Sequence, residues 1–380
     1  MIKSFSATTR EIDDPQVAVA EVLAALDLDN NLLKNSLAIV FCYPDFEETG
    51  VLKAVCDALP FDSIGSTTCL CATGDDCDQL MLLVTVLTSD DCDFKTSLIP
   101  IDEKYEQSIE FSLSELLSRP GDKPSLFLGY LPLIYRISGD MILAAIDRAT
   151  CSIPFFGMLA TDNTPDFTDS KTIYNGEAFR EAVALGALCG NVKFSFKVAS
   201  IDEKKARKQK AIITKSDGAI LIGVNGKPAL EYLEEIGMKK NELVTGIIPI
   251  IVDHGDGTKP IIRDIYAITP EGYAICGGTM PEGATLSIGR LDVEDVLSTT
   301  EEIMKTFAER DCTILSYSCV ARYYMLGANI KAEADKVKEA SIEAKYQFVY
   351  SGGEICPLVD ADGKLKNYSH SYTNVFCKLS

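Results

Sequence analysis

TILSYSCVARYYMLG at 313–327 and YQFVYSGGEICP at 346–357 are two apolar runs with a helix-like segment between them. The first run reaches Cys319 and then Arg322. The second reaches Gly352 and Gly353, followed by Glu354. This order reads as strand, helix, strand, with charged groups and flexible backbone at the strand ends. Ligands of open sheets usually bind at such ends.

Working outward, the same order recurs twice before residue 200. SLAIVFCYP at 36–44 is a strand, a helix is expected at 47–59, and FDSIGSTT at 61–68 is a short strand with a glycine. LMLLVTVLT at 80–88 and FKTSLIPI at 94–101 are further strands. A helix at 105–118, the strand SLFLGYL at 125–131, a helix at 140–149 and IPFFGMLATD at 153–162 repeat the pattern. TIYNGEAF at 172–179 and EAVALGALCG at 181–190 read as one hairpin, and VKFSFKVAS at 192–200 as an extension of that sheet. Helix 292–308, strand 312–318, helix 329–344 and strand 346–351 make a third, partial copy, closed by NVFCKLS. In it YSGGE takes the place of IGSTT and FFGML. The match lies in the order of elements rather than in identity. The fold class expected is therefore α/β, mixed α+β, with repeated strand-helix-strand units, antiparallel extensions and mixed sheets.

SIDEKKARKQK at 200–210 is the one dense charge run and reads as a solvated boundary. After it, AIITKSDGAILIG at 211–223 is a hairpin with an Asp-Gly turn. KPALEYLEEIG at 227–237 is a short helix, and 247–269 a hairpin turning at Asp256-Gly257.

Composition narrows the functions. The 380 residues carry a formal charge of −20, so nothing offers the basic stripe that nucleic acid needs. With 47% hydrophobic residues, two cores can form, yet no run of 18 apolar residues suggests membrane insertion. Thirteen scattered cysteines and no signal-like start fit free thiols in the cytoplasm. Cys69, Cys71 and Cys77 do not have zinc-site spacing.

The chain resembles the FIST family, in both its N-terminal and its C-terminal domain. The resemblance rests on IGSTT at 64–68, FFGMLATD at 155–162 and YNGEAFREAVALGALCG at 174–190. It continues through VNGKPALEYLEEIG at 224–237, the arginine of IIRDI at 261–265 and SCVAR at 318–322. SGGEICP at 351–357 and NYSHSYTN at 367–374 complete it. Two departures stand out: IGSTT continues as CLC rather than with a cysteine directly after the glycine, and Tyr323 and Tyr324 follow Arg322 where the family often has glycine. The resemblance implies an N-terminal domain over 1–200 and a C-terminal domain over 211–380. It also implies a sensory, signal-transducing protein that binds a small ligand such as an amino acid. No kinase or cyclase segment is visible, so output is expected through a separate signalling protein.

The candidate ligand residues are Ser66, Thr67, Asp162, Arg263, Cys319, Arg322, Gly352, Gly353, Glu354 and Asn367. Arg263 and Arg322 suit a ligand carboxylate, and Glu354 or Asp162 a ligand ammonium. The plainer alternative is an internal bridge, such as Arg322 with Glu354. Ser66 and Thr67 can hold an anion or simply satisfy a turn. The glycine pair permits close backbone approach. Cys319 beside Arg322 is the best nucleophile if the protein is an enzyme. Related haem-binding proteins raise His370 or His254 as an axial ligand. A scaffold that recognises a partner protein is the remaining alternative.

Overall fold

The computed structural model describes residues 1–134, 136–164, 166–201, 205, 210–238, 249–255, 257–341 and 344–380. Most of the charge run 200–210 and Asp256 of the expected turn lie outside the described residues.

The first unit is β1 (Lys3–Thr9), helix Pro15–Leu26, β2 (Asn35–Cys42), helix Val51–Asp57, β3 (Ser63–Thr67), hairpin β4 (Cys71–Thr73) and β5 (Asp76–Asp78), and β6 (Leu82–Ser89). The second is β7 (Asp93–Pro100), helix Tyr105–Ser118, β8 (Pro124–Leu131), helix Gly139–Thr150, β9 (Phe155–Leu159), hairpin β10 (Thr172–Tyr174) and β11 (Glu177–Phe179), and β12 (Ala182–Cys189). The third opens with β13 (Phe194–Ala199). An antiparallel sheet is then inserted: β14 (Ala211–Asp217), β15 (Ile220–Val224), β16 (Lys227–Pro228), β17 (Ile250–Asp253), β18 (Ile261–Arg263), β19 (Ile265–Ile268), β20 (Ala274–Cys276) and β21 (Thr285–Ile288). The unit resumes with helix Val293–Phe307, β22 (Thr313–Cys319), helices Val320–Leu326 and Ala332–Ala340, β23 (Lys345–Ser351), hairpin β24 (Glu354–Val359) and β25 (Leu365–His370), and β26 (Asn374–Leu379).

Each unit forms a six-stranded sheet, and each lends its hairpin to another unit. The orders are β1-β6-β2-β3-β10-β11, β7-β12-β8-β9-β24-β25 and β13-β26-β22-β23-β4-β5. The hairpin expected across 172–190 is thus confined to β10 and β11, while β12 pairs with β7 and β8. Likewise β13 extends the third sheet, against β26, not the second.

The three sheets agree residue by residue. One rung reads Ala7, Val84, Val40, Gly65, Ile173. Its equivalents are Ser97, Leu185, Gly129, Gly157, Ile355 and Lys197, Phe376, Ser316, Phe348, Ala72. Gly65 and Gly157 therefore coincide, and a Cβ on either would sit 1.7 or 1.8 Å from a neighbouring carbonyl oxygen. The third counterpart is Phe348, not the YSGGE glycines, which follow the end of the strand.

One rung further on, Phe41, Tyr130 and Tyr317 meet on the pseudo-threefold axis. Their ring centroids are 5.3, 5.7 and 6.2 Å apart, and the two tyrosine hydroxyls are 2.8 Å apart. The central strands read as continuous apolar runs because both faces are covered. On β6, Leu83 and Leu87 face the axial core and Leu82, Val84 and Val86 the helices. Burying each such side chain stabilises by about 1.5–3 kcal/mol.

Candidate functional site

Four of the residues selected from sequence converge on Ser369–Thr373, at the passage from β25 to β26. Arg263, fully buried on the inserted sheet, donates to the Ser369 carbonyl at 2.6 Å and pairs with Asp140 at 2.6 Å. Its Nε has no partner among the described residues. Arg322 donates to the Tyr372 carbonyl at 3.3 Å. The Cys319 N–H donates to the Thr373 carbonyl at 2.9 Å. Glu354 accepts from the Thr373 hydroxyl at 2.7 Å and from Ser351 Oγ. The Gly352 carbonyl accepts instead from Tyr266 of the inserted sheet at 3.3 Å.

Arg322 does not pair with Glu354. It is enclosed by Glu333, with Nε at 3.0 Å and a terminal nitrogen at 2.7 Å, and by the Val296 carbonyl and Thr300 hydroxyl. Glu333 also accepts from Thr300, Ser318 and Asn374. This is a buried framework bridge with its lone pairs satisfied, the internal alternative with a different acid. Cys319 is not an activated thiol. Burial pushes its pKa well above 9.0, and Glu354 and Asp264 raise it further. Burial also drives the Glu354 carboxyl up to about 8 against the opposing hydrogen bonds from Ser351 and Thr373.

The others sit elsewhere. Thr67 exchanges hydrogen bonds with the Lys171 backbone, and Asp162 gathers the N–H groups of Thr164 and Asp169 around its own loop. Ser66 Oγ is buried without a hydrogen-bond partner among the described residues. The Leu159 N–H donates to the Gly353 carbonyl at 2.8 Å, tying β9 to the start of β24. Asn367 accepts from the Phe155 N–H at 2.8 Å and donates to Asp147 at 2.6 Å.

Sequence reading missed Asp140, Asp264 and the pair Gly277-Gly278. A Cβ on Gly277 would lie 1.9 Å from Asp264 Oδ1, and one on Gly278 would lie 2.6 Å from the Arg263 guanidinium. The signal available was GGTMPEG itself, whose glycines make room for an Arg-Asp pair on the adjacent strand.

The threefold pattern locates a cleft. Where β1 meets the neighbouring hairpin, Thr8 bonds Asp76 and Arg10 bonds Asp76 and Asp78. Where β7 meets its neighbour, Thr96 bonds Asp62 and Tyr174. At the third seam the residue equivalent to Thr96 is Phe196, whose ring has no hydroxyl to make such a bond. The seam opens into a cleft of about 660 Å³ between β13, the β24–β25 hairpin and the inserted β17 and β18. Phe196, Ile251, Ile262 and Pro357 supply apolar walls. Among the described residues its ionisable lining groups are Lys197, Lys259 and His370, with no acid. Both lysines are exposed. His370 belongs to the Ser369–Thr373 link, so the cleft backs directly onto the buried cluster.

The FIST N domain matches residues 36–227 and the FIST C domain 228–357. The chain belongs to the FIST family. FIST domains are associated with sensory signal transduction and with small-ligand binding. The junction of the two FIST domains, at 227 and 228, falls inside β16 of the inserted sheet. No curated protein matches the chain. Among the described residues, no helix is long and apolar enough to cross a membrane.

A haem iron would need an axial imidazole nitrogen. His370 Nε2 lies 2.9 Å from the Cys356 carbonyl, which can only accept, so that nitrogen carries the proton. Burial lowers its pKa to about 4. His254 stands edge-on to Tyr368, their ring centroids 5.9 Å apart, and does not line the cleft. Nε2 of His370 is thus committed to Cys356, and Nδ1 is the ring nitrogen of His370 that keeps a lone pair.

Proposed function

We propose that the third-seam cleft is the ligand site of a sensor, and that the ligand is a small carboxylate-bearing molecule such as an amino acid. The carrying observation is charge: in a chain of net −20, the described residues that line the cleft offer two lysines, a neutral histidine and no acid. Lys197 and Lys259 take the carboxylate. Phe196, Ile251, Ile262 and Pro357 take the apolar part. Arg263, Cys319, Arg322 and Glu354 stand behind the wall and hold the link that the ligand presses on, and Gly352 ties the strand end to Tyr266 of the inserted sheet. Gly353 and Asn367 tie the β24–β25 hairpin to β9, while Ser66, Thr67 and Asp162 lie at other strand ends.

The ligand touches the threefold body and the inserted sheet together. Occupancy thus favours one seating of that sheet, and a separate output protein reads the change. The bias is capped by the ligand's differential affinity, typically about 1–3 kcal/mol. A thermal-shift screen with amino acids and short carboxylic acids, each beside its primary amide, tests this. Binding at a hundredfold excess over Kd should stabilise by about 2.7 kcal/mol. The double variant Lys197→Gln, Lys259→Gln should lose that gain. If the amides stabilise as well as the acids, or no acid stabilises, the reading fails.

A further inference from the structure

Three consecutive residues of β13, Phe196 to Val198, line the cleft, and so do three consecutive residues of β24, Pro357 to Val359. Side chains alternate between faces along a strand. Consecutive lining residues therefore mean that the cleft meets each strand along its backbone edge, not across a face.

The phase of β13 follows from one hydrogen bond. The Ser380 N–H donates to the Lys193 carbonyl at 3.1 Å, and the register to β26 continues without a shift. In an antiparallel ladder, hydrogen-bonded pairs alternate with pairs whose N–H and C=O groups point outward. Residues 193, 195, 197 and 199 thus face β26. Phe196 and Val198 direct their N–H and C=O groups into the cleft, with no strand paired there among the described residues. On the opposite wall, β24 pairs with β9 only at Glu354 and Ile355, so Pro357–Val359 run past the end of that pairing.

We infer that the cleft's ligand is a short, acidic peptide in extended conformation, which adds as a strand to the free edge of β13. This rests on the cleft being the ligand site. Phe196 and Val198 supply two donors and two acceptors about 7 Å apart, the spacing of alternate residues on a strand. That matches a tripeptide-length ligand. Lys197 and Lys259 receive its carboxylate, and Ile251 and Ile262 its apolar side chain. The charge argues for an acidic ligand, and the exposed backbone edge argues for a peptide rather than a lone amino acid.

Calorimetric titration with acetyl-Val-Ile-Asp tests the inference, beside free valine, isoleucine and aspartate and three peptides each N-methylated at one amide. The tripeptide should bind at least tenfold more tightly than the best free amino acid. Methylation should cost tenfold or more at alternate amides and less than twofold at those between. The variant Val198→Pro removes an outward donor and takes no bond from β26, a position where edge strands tolerate proline. It should weaken the peptide at least fivefold more than it weakens any free amino acid. The methylated peptides carry the test if that variant does not fold. Amino acids binding as tightly as the peptide, or a methylation cost that does not alternate, would overturn strand addition and leave the carboxylate cleft standing. If no carboxylate of either kind binds, both readings fall.

Discussion

Replacing Glu354 by glutamine should flatten the chain's stability between about pH 6.5 and 8. Glu354 is fully buried, and burial lifts its pKa from 4.5 to about 8 although Ser351, Thr373 and Arg322 favour the anion. The folded chain therefore keeps this proton up to about pH 8, whereas the unfolded chain loses it near 4.5. Stability from this group is full below pH 4.5 and is lost as pH rises through about 8. Each pH unit inside that range is worth about 1.4 kcal/mol, so the rise from pH 6.5 to 8 should cost ~2 kcal/mol. Two neighbours titrate below the window. Burial raises Asp264 only to about 6, and the buried His370 is depressed to about 4. Glutamine copies the protonated acid: its carbonyl accepts from Thr373 and its amide donates to Ser351. Urea unfolding followed by far-ultraviolet circular dichroism at four pH values measures the slope. The native chain should lose midpoint concentration steadily, and Glu354→Gln should hold it constant. Equal slopes for the two chains would refute the reasoning, because the proton would then reside elsewhere.

Arg322→Met should cost about 3–5 kcal/mol, because Glu333 is left charged, buried and short of its strongest donor. Adding Glu333→Gln should restore more than half of the loss in the same urea assay, and no restoration would show that packing rather than charge dominates. A chain ended at residue 227 lacks β22, β23 and β26, so β13 and the β4–β5 hairpin have no sheet to join. It should show no cooperative unfolding, and a sharp transition would show that the first FIST domain folds alone.

Much of the fold could be read locally. Parallel pairs such as β2 with β3 announce themselves by apolar runs, a helix between them and a glycine where strands crowd. The internal repeat was visible for the same reason, since the order of elements survives even where Gly65 and Gly157 give way to Phe348. Where each hairpin docks was not visible. Pairing β10 with β3 rather than with β12 depends on which sheet edge lies nearest in space, and no residue of TIYNGEAF encodes that distance.

The site divides in the same way. Composition alone makes an arginine such as Arg322 either a ligand contact or a bridge, because a guanidinium suits any carboxylate. Only the packing of helix Ala332–Ala340 brings Glu333 to it and decides for the bridge. The two runs at 313–327 and 346–357 determined the strand-helix-strand unit, the buried strand ends and the residues that gather at Ser369–Thr373. Tertiary structure decided that the ligand-sized space lies beside them, at the third seam. It opens there because Phe196 stands where Thr96 closes its own seam, and because a sheet is inserted after β13. Both are comparisons between distant segments, which a linear chain does not display until it folds.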